Sequence, residues 1–163
     1  MLALLFWLFS PAPPDLAVQF EQIAAEARGH SGAVAMLIET GETASFRGAD
    51  RFPMQSVYKF PIGMAVLHEV DRGVLRLNQD VAVTKGDLVP PGLRSPIRDR
   101  HPEGTRLTVR ELLRYAVSES DGTASDVLLR LAGGGARVTE YLRGLGIRGV
   151  TVETTEIAMS IAA

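Results

Sequence analysis

The chain has 163 residues, the size of one ordinary domain. Its 46% hydrophobic and 22% charged residues describe a soluble globular protein, and a net charge of −2 suggests neither nucleic acid nor an anionic membrane as a partner. With no cysteine there is no disulfide, thiol catalysis or cysteine-held metal, and His30, His68 and His101 lack a second histidine at metal-ligand spacing.

Residues 1–9 are almost wholly apolar but too few to span a bilayer. They read as the apolar core of a secretory signal, with Ser10-Pro11-Ala12 as its small-residue cleavage site, although no basic residue precedes them. Pro11, Pro13 and Pro14 then make a stiff spacer, so residues 1–14 are set aside as leader and linker. Asp15 caps a helix whose apolar residues are Leu16, Phe20, Ile23, Ala24 and Ala27, and Arg28-Gly29 ends it. Residues 33–39 read as a buried strand, Gly41-Glu42 as a turn and residues 43–47 as the returning strand of a hairpin. Helix and hairpin together start the sheet domain, assigned to residues 15–52.

From residue 53 to 153 the pattern is mainly helical. Phe60, Met64, Leu67 and Val70 recur at helical spacing, and Pro61 requires this helix to begin at or just before Ser56. The positive end of such a helix favours negative charge near the Ser56 oxygen. Residues 80–83 read as extended, and 88–104 as a long loop of the kind that often binds ligands. Thr108 and Glu111 form a capping box for a helix through about Val117. Ser120-Asp121-Gly122 breaks the chain before a helix over 124–131, which Gly133-Gly134-Gly135 stops. A further helix covers 138–145, and 150–152 is extended.

Three places in this order carry chemistry. Ser56 and Lys59 lie three apart on one helix face, a spacing that brings a hydroxyl beside an amine. A serine hydroxyl becomes a good nucleophile when a neighbouring base takes its proton. Alone, the tetrapeptide is common in unrelated chains, where the lysine is a solvated surface group. Ser120-Asp121-Gly122 alone is ordinary turn chemistry, and Glu156 alone is an ordinary surface acid.

Taken together, these three places resemble the class A serine β-lactamases of the penicillin-binding-protein-like superfamily, whose signature combines S-x-x-K, S-D-N and K-T-G. Ser56-Val57-Tyr58-Lys59 matches the first element, and Ser120-Asp121-Gly122 matches two positions of the second. Glu156 follows Ser120 by 36 residues (156 − 120), the family's interval to its glutamate. The likeness runs from about Asp15 onward and implies an α+β fold. It implies Ser56 as nucleophile, Lys59 as a group that helps deprotonate it, either Lys59 or Glu156 as the base for acylation, Ser120 as proton relay to the ring nitrogen and Glu156 as activator of the deacylating water. Residues 154–163 would begin the loop carrying that glutamate. Cofactor and metal are expected to be absent. The expected partner is a small-molecule β-lactam met by a monomeric protein in the periplasm or outside the cell.

Four departures qualify the resemblance. Gly122 stands where the family has an asparagine that contacts the substrate's acylamide. Ser160 stands where another asparagine helps hold the water. No tyrosine lines the 88–104 loop, and no Lys-Thr-Gly follows. That motif's strand supplies half the oxyanion hole, so an incomplete β-lactamase without activity of its own is expected. The rivals are a penicillin-binding or transpeptidase-like acyltransferase and a non-catalytic globular fragment.

Overall fold

The computed structural model describes residues 15–153 and Thr155. The leader reading of residues 1–14, and Glu156 and Ser160, fall outside these residues. The chain divides into two compact units, Met1–Pro53 and Met54–Ala163.

In the first unit Asp15 caps α1 (Leu16–Glu26), its carboxylate accepting the Ala17 amide at 3.0 Å. The hairpin pairs β1 (Ala33–Met36) with β2 (Thr43–Phe46), Ala33 opposite Phe46 and Met36 opposite Thr43. The strand expected over 33–39 is thus shorter, and it is not buried on both faces. Ala33 and Ala35 turn inward while Val34 and Met36 stay more than half exposed. A pleated strand presents alternate residues to opposite faces, so an unbroken apolar run need not be buried throughout.

The second unit holds the larger core. A 3-10 turn (Gln55–Tyr58) leads into α2 (Lys59–Asp71), so the α-helix starts three residues later than expected. Pro61 still falls in its first turn, where its missing amide costs no helical bond. Gly63 lets α2 approach α4 (Val109–Ser118) closely, for a Cβ there would lie 3.3 Å from Val117. β3 (Asp80–Thr84) pairs antiparallel with β4 (Gly104–Thr108), from Asp80–Thr108 to Thr84–Gly104. Gly104 takes φ +97°, and a Cβ would sit 2.6 Å from the Val83 carbonyl, so the end of the ladder demands glycine.

β4 and the short α3 (Pro96–Arg100) were both missed within and after the expected 88–104 loop. Of β4 only Leu107 is buried, which leaves a weak periodic signal. The capping box at Thr108 and Glu111 opens α4 as expected. α5 (Gly122–Leu131) and α6 (Gly135–Gly144) start two and three residues earlier than the sequence suggested. Gly133 and Gly134, at φ +87° and +90°, make the stop. Gly135 already belongs to α6, and glycine is required there because the Val152 carbonyl would lie 2.5 Å from a Cβ. Residues 150–152 form no strand, but Val152 is buried and tied to α6, its amide donating to Thr139 Oγ1 at 2.9 Å.

Ile62, Val66, Leu112, Leu128 and Leu142 are fully buried and form the centre, each contributing roughly 1.5–3 kcal/mol. α5 runs through this core with every residue from Gly122 to Leu129 buried. Six α-helices and two small antiparallel sheets among the described residues make the fold α+β. Among those residues no helix is long and apolar enough to cross a membrane.

Candidate active site

Ser56 lies exposed in the 3-10 turn, and Lys59 lies buried where that turn becomes α2. The helical turn between them brings the Lys59 Nζ to 3.3 Å from Ser56 Oγ. Ser120 arrives 61 residues later, from the break between α4 and α5. The Lys59 amine donates from Nζ to Ser120 Oγ at 3.2 Å and to the Ser120 carbonyl at 3.0 Å. Ser120 Oγ in turn donates to Ser56 Oγ at 2.9 Å. Two hydroxyls and an amine thus close a triangle with hydrogen bonds on every side.

Such a triangle can pass a proton. A path leads from Ser56 Oγ to Lys59, on to Ser120 Oγ, and from there to a leaving atom above both serines. The surroundings hold it with unusual backbone. Ser120 has φ +56° and Gln55, just before Ser56, has φ +47°, a region that costs an ordinary residue energy. Two of the three non-glycine residues with positive φ among the described residues thus lie at or beside the triangle, the third being Arg47 in the first unit.

The contacts that hold Ser120 are laid out on both its sides. Asp121 is fully buried, and its carboxylate accepts the Ala124 amide at 2.9 Å, which caps α5. It also accepts the Ile97 amide at 2.7 Å and the Ser95 hydroxyl at 3.1 Å, reaching across to α3 and its cap. Ser95 Oγ is also 2.9 Å from Thr123 Oγ1, which accepts the Val89 amide at 3.1 Å. Arg94 holds the other side. Its Nε donates to the Glu119 carbonyl at 2.7 Å, and its own carbonyl accepts the Gly122 amide at 2.9 Å.

Sequence reasoning singled out Ser56, Lys59 and Ser120, and the structure brings those three together. Gly122 is buried at the first turn of α5, one residue past the Asp121 cap. Sequence reasoning gave no part to Asp121, Ser95, Thr123 or Arg94. Asp121 carried a usable signal, an aspartate directly before an apolar helical run. The other three hold loop geometry that no periodicity encodes.

A family model described as the beta-lactamase enzyme family matches residues 15–163. The chain belongs to that family. The β-lactamase VEB-1 of Pseudomonas aeruginosa is 35% identical over 161 residues, covering 98% of this chain and 54% of that protein. The extended-spectrum β-lactamase PER-1 of the same organism is 33% identical, covering 92% and 49%. Among solved structures, a β-lactamase from Chitinophaga pinensis superposes with a TM-score of 0.82 at 46% identity, covering 88% of this chain and 53% of that one. The extended-spectrum enzyme TLA-1 superposes with a TM-score of 0.81 at 32% identity. The chain spans about half the length of the curated β-lactamases it matches.

Proposed function

We propose that this chain carries the acyl-transfer part of a β-lactamase site, with Ser56 taking the acyl group as the β-lactam ring opens and full turnover expected only together with the strand that bears the Lys-Thr-Gly motif. The observation that carries this reading is the triangle of Ser56, Lys59 and Ser120, since a general base and a proton relay both lie within reach of one hydroxyl. Lys59 takes the Ser56 proton as Oγ attacks the lactam carbonyl. The new C–O ester bond forms, the ring C–N bond breaks, and the proton reaches the departing nitrogen through Ser120. Water then cleaves the ester, with Glu156 taking its proton and Ser160 helping to hold it, and Ser56 recovers its own. A positioned acid or base typically contributes a hundredfold to ten-thousandfold in such steps.

Gly122 supplies the substrate no side-chain hydrogen bond. The site forgoes a contact worth roughly 1.5–3 kcal/mol to a charged group and about half that to a neutral one, so substrates are held less tightly at that side. Relatives named extended-spectrum β-lactamases support β-lactams as the substrate class. The apolar residues 1–9 support export to the periplasm or the medium, where the protein acts as a monomer.

Intact-mass spectrometry after incubation with benzylpenicillin tests the proposal. The expected adduct equals the mass of the whole penicillin, maps to the Ser56 peptide and disappears in Ser56→Ala. Glu156→Gln should make it accumulate. The reading fails if no adduct forms, or if Ser56→Ala acquires one.

A further inference from the structure

Among the arginines of residues 88–104, Arg94 is set apart by what it leaves open. Arg98 spends Nη1 on the carbonyls of Val89, Pro90 and Leu93 and pairs with Asp99. Arg100 donates to the Tyr115 hydroxyl at 2.9 Å and lies over its ring. Arg94 is exposed and bonds through Nε alone, to the Glu119 carbonyl. Among the described residues neither of its terminal nitrogens has a hydrogen-bond partner. The Glu119 carboxylate does not neutralise it, being paired with Arg114.

The bond through Nε also fixes where that open edge stands. The Glu119 carbonyl belongs to the peptide that precedes Ser120, whose hydroxyl is 2.9 Å from Ser56 Oγ. Adding the intervening bond lengths places the Arg94 Nε within about 13 Å of Ser56 Oγ. A lactam with its acyl side chain is about as long as three extended residues, roughly 10 Å. A guanidinium with one nitrogen already anchored presents a planar pair of donors that matches a carboxylate, and little side-chain freedom remains to be lost on binding. The site's other basic side chain, Lys59, is buried and bonded to serine oxygens.

We propose that Arg94 is a specificity-determining residue that binds a carboxylate on the acyl side chain of the substrate, so that dianionic β-lactams are preferred over their monoanionic counterparts. The inference rests on the acyl-transfer reading above for its substrate class, and its test separates the two. Phenylacetamide and the monoamide of phenylmalonate (hereafter phenylmalonate) reproduce side chains without and with the extra carboxylate, and neither can acylate Ser56. Nuclear magnetic resonance titration of the 163-residue chain with each should show phenylmalonate binding at least about fivefold tighter, the effect of one well-placed charge-assisted bond. The Arg94 side-chain signal and the Glu119 and Ser120 amides should shift.

In Arg94→Gln, which keeps a donor for the Glu119 carbonyl but removes the charge, the preference should fall below about twofold. Arg94→Lys, which keeps the charge, should retain part of it. Amide spectra of both variants report whether the fold is intact, and the Lys variant carries the test if the Gln variant is not folded. Equal binding of the two probes, binding of neither, or a preference that survives the loss of charge overturns the inference. In parallel, the intact-mass assay with carbenicillin and benzylpenicillin addresses the chemistry. Adducts from both at equal rates would sink the Arg94 proposal alone, while absence of any adduct beside a clear phenylmalonate preference would sink the acyl-transfer reading alone.

Discussion

Replacing Asp121 by alanine tests what holds the second serine in place. The carboxylate caps α5 through the Ala124 amide, and losing such a cap costs about 1 kcal/mol. It also accepts the Ile97 amide, which belongs to a fully buried residue, and a buried donor left without an acceptor costs about 1–3 kcal/mol. Ser95 loses less, because its hydroxyl keeps Thr123. The expected loss is therefore about 2–4 kcal/mol, a large share of the 5–15 kcal/mol that usually holds a domain. Asp121→Asn should cost about half as much, since its single carbonyl can serve one amide while its NH2 faces the other. Urea unfolding followed by far-UV circular dichroism measures both, with the slope compared to ensure that the same surface unfolds. A loss below about 1 kcal/mol for the alanine variant would refute the idea that Asp121 joins α3 to α5.

Gly135→Ala should lower the melting temperature by several degrees although alanine is the better helix former by about 1 kcal/mol. Its Cβ would meet the carbonyl oxygens of Val152 and Glu153 at 2.5 and 2.9 Å, and hydrogen exchange should show the Val152 amide losing protection. A raised melting temperature would contradict that account. Glu111→Gln should flatten the acid side of the stability profile. Hydrogen bonds from the Thr108 amide and then its hydroxyl hold the Glu111 carboxyl below its ordinary 4.5, against a small opposing effect of burial. A lowered folded value means the stabilisation is present above the ordinary value and is lost as pH falls through the folded one. Melting temperatures between about pH 3 and pH 6 should therefore fall more steeply for the wild type than for the variant, and parallel curves would remove this role.

Where local chemistry and periodicity agree, the sequence already shows the structure. Asp15 and Thr108 announce α1 and α4, because a capping side chain acts within three residues of itself. The pairing of Ser56 with Lys59 follows from one helical turn. Ser120 was legible only through resemblance, since a contact 61 residues away leaves no mark in local spacing. β4 escaped because its partner β3 supplies most of the pair's buried residues, Val81 and Val83 against Leu107. Gly135 misled because a run of three glycines reads as a stop, whereas only the first two have the backbone of one.

The left-handed turn at Ser120 has a thermal consequence. Its φ of +56° is imposed by Arg94 and Asp121, which draw on the segment around α3. Segments of a protein open at different free energies, and a short segment held by a few polar bonds opens before a packed helical core. Warming should therefore release Ser120 into an ordinary backbone conformation while α2 and α5 are still folded. Reactivity would then have its own melting point, below that of the fold, and a substitution that strengthened the α3 segment would raise the first without moving the second.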